Sequence, residues 1–181
     1  MTNEAREQVN FQAALAATGR SSDIPDSADV YGWLIGSWEL DVVHYRAVDV
    51  SGSGIKAEAH FRWVLEGRVV QDVWIMPRRG ARADSMDSQM NMYGTTLRVW
   101  DPSIQAWRIT WMNPAGHHFE QQIGRRTGTD IVQLGLRSDG TPTRWRFTDI
   151  AQNSFHWLGE SLQGDGSTWT LEGEFLAKRV R

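Results

Sequence analysis

Five ionisable residues occupy positions where the sequence pattern predicts a buried face: His44, Asp72, Arg98, His117 and Asp149. A charged side chain is costly to bury alone, so each of them needs a partner or a hydrated cavity. Asp72 interrupts the apolar run of residues 69–76. We expect it to form a structural salt bridge with Arg98 on the neighbouring strand.

A different pairing of these residues would create a catalytic site. If Asp72 met His44 or His117, the carboxylate would orient the imidazole as a general base. That pair is the minimum apparatus for a cofactor-free lyase, isomerase or cyclase of secondary metabolism. The alternatives without chemistry are a His44 near solvent at a strand end and a His117 in a hairpin position beside Gly116.

Other reaction chemistries find little support in the sequence. Residues 117–120 read His-His-Phe-Glu, and neighbouring side chains on a strand point to opposite faces. His117 and His118 therefore cannot chelate one ion, although His118 and Glu120 would share a face. With no Cys and no His-x-His motif, we expect no metal site and no cofactor. No Ser lies in a Gly-x-Ser-x-Gly nucleophile elbow.

The elements that must position these residues are strands. From Tyr31 onward the hydrophobic pattern has a period of two, and turn signals recur about every 8–14 residues. About ten strands are predicted, near residues 37–48, 55–65, 68–76, 90–100, 106–113, 117–125, 130–137, 142–150, 154–162 and 168–178. Strands joined by hairpins form a meander, which loses its edges by closing on itself.

The predicted fold is therefore an all-β, antiparallel up-and-down barrel of about ten strands with an N-terminal helix. Residues 3–18 are rich in helix formers and end at Gly19, a natural helix-terminating residue. We expect residues 1–30 to form this helix and a connector, and residues 31–181 to form the barrel domain. A barrel of this strand number is wide enough to enclose a ligand cavity.

Most of the ten tryptophans fall on one face of the predicted strands. With Trp38 facing inward, alternation gives the same face to Trp63, Trp74, Trp107, Trp111, Trp145, Trp157 and Trp169, and to Trp100 if its strand has no bulge. Plain core packing explains such a stripe, and so does an aromatic-walled cavity for a planar ligand. The predicted ligand-binding residues are Phe61, Trp63, Trp74, Met92, Arg98, Trp111, Phe119, Trp145 and Trp157.

The connection at residues 77–89 is the only long one. It carries Arg78, Arg79 and Arg82, followed by Asp84 and Asp87. A loop of this length is either functional or disordered, so it is a solvated flap or a lid over the barrel mouth. As a lid, its arginines would hold an anionic group of the ligand.

Composition excludes several classes of function. The chain has 181 residues, no Cys and a net charge of −3 with the signs interspersed. These values exclude a disulfide scaffold and a thiolate site, and they argue against a nucleic-acid partner. Residues 1–30 carry Glu4 and Glu7 where a secretory signal would be basic, and no apolar stretch is long enough to span a membrane. We expect a soluble, cytoplasmic protein.

Several segments resemble the calycins, the superfamily of lipocalins, fatty-acid-binding proteins and nitrobindins. Leu34-Ile35-Gly36-Ser37-Trp38-Glu39-Leu40 carries the Gly-x-Trp signature of a calycin first strand. Residues 61–68, 94–101, 155–157 and 164–166 extend the resemblance over about residues 31–179, to a bacterial family of uncharacterised lipocalin-like domains. Nitrobindins bind haem through a His on the last strand, whereas residues 168–178 contain none.

The sequence thus predicts a barrel that binds a small hydrophobic or aromatic molecule, with Arg98 or the loop arginines fixing its polar end. The alternative is a cofactor-free enzyme that uses His44, Asp72 and His117 on the same molecule. A third hypothesis is a homodimer formed through an exposed aromatic strand face or the helix at residues 3–18.

Overall fold

The fold is a single antiparallel sheet that closes into a barrel. The computed structural model describes residues 10–82 and 90–180. The strands are β1 (Gly36–Tyr45), β2 (Val48–Asp49), β3 (Lys56–Val64), β4 (Val69–Met76), β5 (Met92–Asp101), β6 (Ala106–Asn113), β7 (His118–Thr127), β8 (Asp130–Arg137), β9 (Pro142–Ala151), β10 (Ser154–Leu162) and β11 (Trp169–Arg179).

Each long strand pairs with its neighbours in chain order, and β11 pairs back onto β1. The closing ladder runs from Trp38 opposite Arg179 to Tyr45 opposite Gly173. The two-residue β2 pairs only with the end of β1, outside the ring of ten. The predicted ten-stranded up-and-down barrel is confirmed.

The N-terminal helix ends earlier in the chain than predicted. Residues 10–15 are helical, while the predicted residues 3–9 lie outside the described part of the chain. The helix does not continue to residue 18, because Ala16 forms a β-bridge with Val64 and the Ala17 N–H donates to the Trp63 carbonyl. Pairing with β3 therefore ends the helix before Gly19.

The connector that follows the helix covers one end of the barrel. Its apolar side chains Ile24, Ala28, Tyr31 and Leu34 are buried in the core. Two barrel indoles anchor its backbone: Trp107 Nε1 donates to the Ala28 carbonyl at 2.8 Å and Trp38 Nε1 donates to the Leu34 carbonyl at 2.7 Å. The Ala28 carbonyl also accepts from the Val30 N–H at 2.9 Å, so the two indoles find buried backbone acceptors and fix the connector on the barrel.

The opposite end carries the long connection at residues 77–89, of which residues 83–89 lie outside the described ranges. The three arginines at its start bind the barrel itself. Arg78 lies 3.7 Å from Glu39, Arg79 donates to Glu58 at 2.8 Å, and Arg82 bonds the Asn91 side chain.

Two bulges shift which side chains face inward. On β1, Val42 pairs with Phe175 and His44 with Glu174, so Val43 is an extra residue. On β11, Gly159 pairs with Gly173 and Glu160 with Leu171, so Glu172 is the extra residue. A bulge reverses the side-chain alternation beyond it.

Trp169 and Asp149 were predicted to face inward. Both predictions were wrong, because a strand irregularity changes the side-chain alternation near each residue. Beyond the β11 bulge, Trp169 faces outward and stacks under the Arg144 guanidinium, 4.3 Å from its ring centroid. Asp149 has a left-handed backbone with φ of 49° and an exposed side chain near His156 on the outside. Among the described residues, no helix has the length and apolar character needed to cross a membrane.

Candidate functional site

A cavity of about 500 Å³ opens at the barrel end opposite the N-terminal connector. This volume lies in the range of ligand pockets for small molecules. Its apolar wall consists of Trp74, Met92, Trp111, Trp145, Trp157 and Phe175. Polar side chains from the strand ends and loops surround the mouth: Tyr45, Arg46, Asn113, His117, His118, Arg137, Ser138 and Glu172.

The tryptophans form a continuous wall of edge-to-face and tilted ring contacts. The ring centroids of Trp111 and Trp145 are 6.0 Å apart, those of Trp145 and Trp157 are 5.4 Å apart, and those of Trp157 and Trp74 are 5.7 Å apart. Such contacts fix each ring through its neighbour. The wall is therefore preorganised.

Glycines on the strands make room for two of these rings. A Cβ on Gly94 would lie 2.3 Å from Cη2 of Trp111, and a Cβ on Gly159 would lie 2.6 Å from Cη2 of Trp157. The two rings therefore lie directly against the strand backbone. A larger residue at either glycine would push the ring toward the cavity and reduce its volume.

Arg98 lies at the floor of the cavity, and Asp72 pairs with it from behind. Arg98 Nη1 donates to Asp72 Oδ2 at 2.5 Å, and the backbone N–H of Thr96 donates to Asp72 Oδ1 at 2.8 Å. The guanidinium also lies 5.2 Å from the centroid of the Tyr31 ring. The predicted ion pair is present, and it holds a cation at the base of an aromatic cavity.

One donor on this floor has no partner. The Nε atom of Arg98 is buried and makes no hydrogen bond within residues 10–82 and 90–180. A buried donor of this kind costs free energy unless a ligand or water satisfies it. Arg98 lines the cavity, so this unpartnered donor lies at its inner end.

A chain of buried polar side chains crosses the interior beside the cavity. The Tyr31 hydroxyl donates to Gln133 at 3.1 Å, the Gln133 amide donates to Gln122 at 2.9 Å, and the Gln122 amide donates to Glu120 at 2.6 Å. The Thr143 hydroxyl also bonds Glu120. All these donors point toward the Glu120 carboxylate. Burial raises the pKa of the Tyr31 phenol, so that end of the chain stays a donor.

The chain ends in a histidine at the cavity. His118 Nε2 lies 3.1 Å from Glu120 Oε2, and His118 lines the cavity while the Glu120 side chain is fully buried. Within the described ranges no group of three His, Cys, Asp or Glu side chains is arranged to hold a metal ion. The arrangement is a carboxylate-oriented imidazole.

Two further groups shape the mouth. Burial raises the pKa of the Tyr45 phenol above its usual range. Arg137 pairs with Glu172, the bulged residue of β11. The mouth thus combines a neutral phenol with a compensated ion pair.

The structure does not bring together the three predicted catalytic residues. Asp72 is occupied by Arg98 and Thr96 rather than by a histidine. The β1 bulge turns His44 away from the cavity, toward Glu174 at 3.5 Å, and Tyr45 takes its place. His117 is a left-handed residue at the mouth, with φ of 49°.

The predicted ligand-binding residues fall into three groups. Trp74, Met92, Arg98, Trp111, Trp145 and Trp157 line the cavity. Phe61 and Trp63 are buried in the core instead of lining the cavity. Phe119 was placed inside wrongly: it is 52% exposed, because β7 starts at His118 and the inward side chains are His118, Glu120 and Gln122.

The sequence pattern put His118 and Glu120 on one face, but it was not recognised that this face, with Gln122, points inward. A signal for this orientation existed, since the Pro114-Ala115-Gly116 turn leaves His117 outside the strand and shifts the alternation of side chains by one residue.

No protein-family model and no curated protein matches the sequence.

Proposed function

We propose that the barrel binds a small, flat, mostly apolar molecule with a hydrogen-bond-accepting oxygen at its inner end. The observation that carries this proposal is the open cavity of about 500 Å³ whose wall contains four tryptophans and whose floor offers the unpartnered Arg98 Nε–H. Flat rings suit a wall of indole edges and faces, and Met92 can adapt to their outline.

The floor favours an uncharged acceptor such as a carbonyl or hydroxyl oxygen. Asp72 already compensates the charge of Arg98, so one N–H donor is on offer rather than a free cation. A ligand that lacks the acceptor would leave that donor unsatisfied, which costs affinity. The calycin resemblance of about residues 31–179 belongs to the same proposal, because calycin barrels bind ligands in this part of the fold.

Three probes of matched size test the proposal by tryptophan fluorescence titration. We expect 2-acetylnaphthalene, which is flat and carries a carbonyl, to bind more tightly than 2-ethylnaphthalene, which lacks the oxygen. Adamantyl methyl ketone keeps the carbonyl but is not flat, and should bind weakest. A Trp157→Ala variant should lose about tenfold in affinity for the first probe.

Trp169→Ala is the matched control, because Trp169 lies on the outer face against Arg144. It should leave the affinity unchanged. Absence of binding by all three probes would refute the proposal, and so would equal loss of affinity in the two variants.

A further inference from the structure

The cavity wall carries a histidine–carboxylate pair that ligand binding alone does not require. His118 Nε2 lies 3.1 Å from Glu120 Oε2. The Gln122 amide and the Thr143 hydroxyl both donate to Glu120 Oε1, so the charge of the carboxylate is left for His118 at Oε2. An accepting carboxylate needs the hydrogen on Nε2, which leaves Nδ1 of the neutral ring with a free lone pair.

The position of this ring suits a base that acts on a bound molecule. The His118 side chain is 32% exposed and lines the cavity, whereas the Glu120 side chain behind it is fully buried. Nδ1 makes no hydrogen bond within the part of the chain that the structure describes. The carboxylate holds the ring from one side and the other nitrogen is left for a ligand.

A guanidinium lies on the same rim of the cavity. Arg46 Nη2 is 3.9 Å from the position of a Cβ on Gly116, two residues before His118. Arg46 also lines the cavity. A base and a guanidinium that line the same cavity fit proton removal from a carbon next to a carbonyl group, because the carbonyl oxygen gains the negative charge.

We propose that the barrel catalyses cofactor-free proton transfer on carbonyl compounds, with His118 as the general base and Glu120 as its positioning residue; this inference rests on the proposed binding function. His118 Nδ1 takes a proton from the carbon next to the carbonyl. The C–H electron pair becomes the C=C bond of an enolate, whose oxygen faces Arg46. The imidazolium then returns the proton to the same carbon or to a conjugated one. Nothing is oxidised or reduced: return of the proton to the same carbon is hydrogen exchange, and its return to a conjugated carbon is an isomerisation.

Deuterium exchange tests this step with the binding probe itself. The methyl protons of 2-acetylnaphthalene, which lie next to its carbonyl, are followed by NMR in heavy water. We expect the protein to accelerate their exchange over buffer by about a hundredfold, within the usual range for general-base catalysis. His118→Gln should return the rate to that of buffer. Glu120→Gln should lower the rate at saturating probe by about tenfold and leave the probe's affinity unchanged, as expected for a residue that orients the base.

His60→Gln provides a matched control. His60 Nε2 also lies 3.1 Å from a glutamate oxygen two residues away, Oε2 of Glu58, but this pair is on the outside of the barrel. The variant should exchange the probe at the wild-type rate.

Binding of the probe without acceleration would overturn the proton-transfer inference and leave the binding proposal standing. A His118→Gln variant as fast as the wild type would do the same. Failure of all three probes to bind would overturn both. If Glu120→Gln does not fold, His118→Gln still decides the question, because His118 lies at the partly exposed rim.

Discussion

Arg98 and Asp72 form an ion pair inside the barrel, with side-chain exposures of only 2% and 0%. The pair joins neighbouring strands β4 and β5, where Val70 faces Arg98 and Asp72 faces Thr96 in the ladder. Two charges this deeply buried stabilise the fold only as a pair, since either one alone would be an uncompensated charge.

The first prediction concerns this pair. Asp72→Asn should lower the free energy of unfolding by about 3–5 kcal/mol, because it leaves the Arg98 charge buried without compensation. Replacing both, as Asp72→Leu with Arg98→Met, should recover most of the loss. Urea unfolding measures both effects.

The exposed pair of Lys56 and Asp41 is the control. Asp41→Asn should cost less than about 1 kcal/mol. Equal costs for Asp72→Asn and Asp41→Asn would contradict the buried-charge explanation.

The second prediction uses a glycine under the cavity wall. A Cβ on Gly159 would lie 2.6 Å from Cη2 and 2.9 Å from Cζ3 of Trp157, so Gly159→Ala should push that ring into the cavity. The affinity for 2-acetylnaphthalene should fall about tenfold, which corresponds to about 1.4 kcal/mol. Fluorescence titration measures the affinity, and the emission of Trp157 should shift as well.

Gly164→Ala serves as the comparison, because no atom of residues 10–82 and 90–180 lies within 4 Å of a Cβ at that position. It should bind the probe like the wild type. An unchanged affinity in Gly159→Ala would mean that the Trp157 ring is not part of the binding wall.

The strands and their order could be predicted from the sequence because the signals that define them are local. Thr127-Gly128 and Asp139-Gly140 bracket β8, whose bounds of Asp130–Arg137 match the prediction. Short connections then require neighbouring strands to pair, and closure follows from the number of strands. The fold class therefore follows from local signals, the turns between strands that are neighbours in the chain.

Which side chains of a strand face inward was harder to predict, because one extra residue in a bulge reverses the alternation beyond it. The bulge at Val43 is set by pairing with β11, which is more than a hundred residues away in the chain, and no local signal in Val42-Val43-His44 marks it. The shift at His117 has a local cause, the turn at residues 114–116, which puts His118 and Glu120 on the inner face of β7. The orientation of His44, which depends on long-range register, therefore could not be predicted, whereas the pair of Arg98 and Asp72, on regular strands, could.

The third prediction is a pH dependence on the outer face. The Arg79 guanidinium, which donates a hydrogen bond to Glu58, lowers the pKa of that carboxyl from 4.5 to about 2. A depressed folded-state pKa adds stability above pH 4.5, and this contribution disappears as the pH falls toward 2. Arg79→Gln should therefore raise the pKa of Glu58 and lower the free energy of unfolding only slightly at neutral pH, since Arg79 is largely exposed.

NMR titration of Glu58 and urea unfolding at several pH values check this prediction. The stability difference between wild type and Arg79→Gln should shrink between about pH 5 and pH 2. A difference that stays constant over this range would show that Arg79 acts on stability by some route other than Glu58.

The fourth prediction concerns the link between the N-terminal connector and the interior polar chain. The Tyr31 hydroxyl lies 3.1 Å from Gln133, and a Cβ on Gly124 would lie 2.3 Å from that hydroxyl. Tyr31→Phe removes a buried donor and leaves Gln133 Oε1 unsatisfied. The free energy of unfolding should fall by about 1–3 kcal/mol. Tyr93→Phe, at an exposed tyrosine, should change it little.

The free energy of unfolding lost in Tyr31→Phe should also depend on pH. Burial raises the pKa of Tyr31 above its ordinary value of 10.0, so the wild type holds this proton more tightly when folded. The stabilisation is complete below pH 10 and declines as the pH rises above it, because the unfolded chain then ionises first. The difference between wild type and Tyr31→Phe in urea unfolding should therefore narrow above pH 10. A difference that does not narrow would indicate that the Tyr31 hydroxyl reaches solvent in the folded protein.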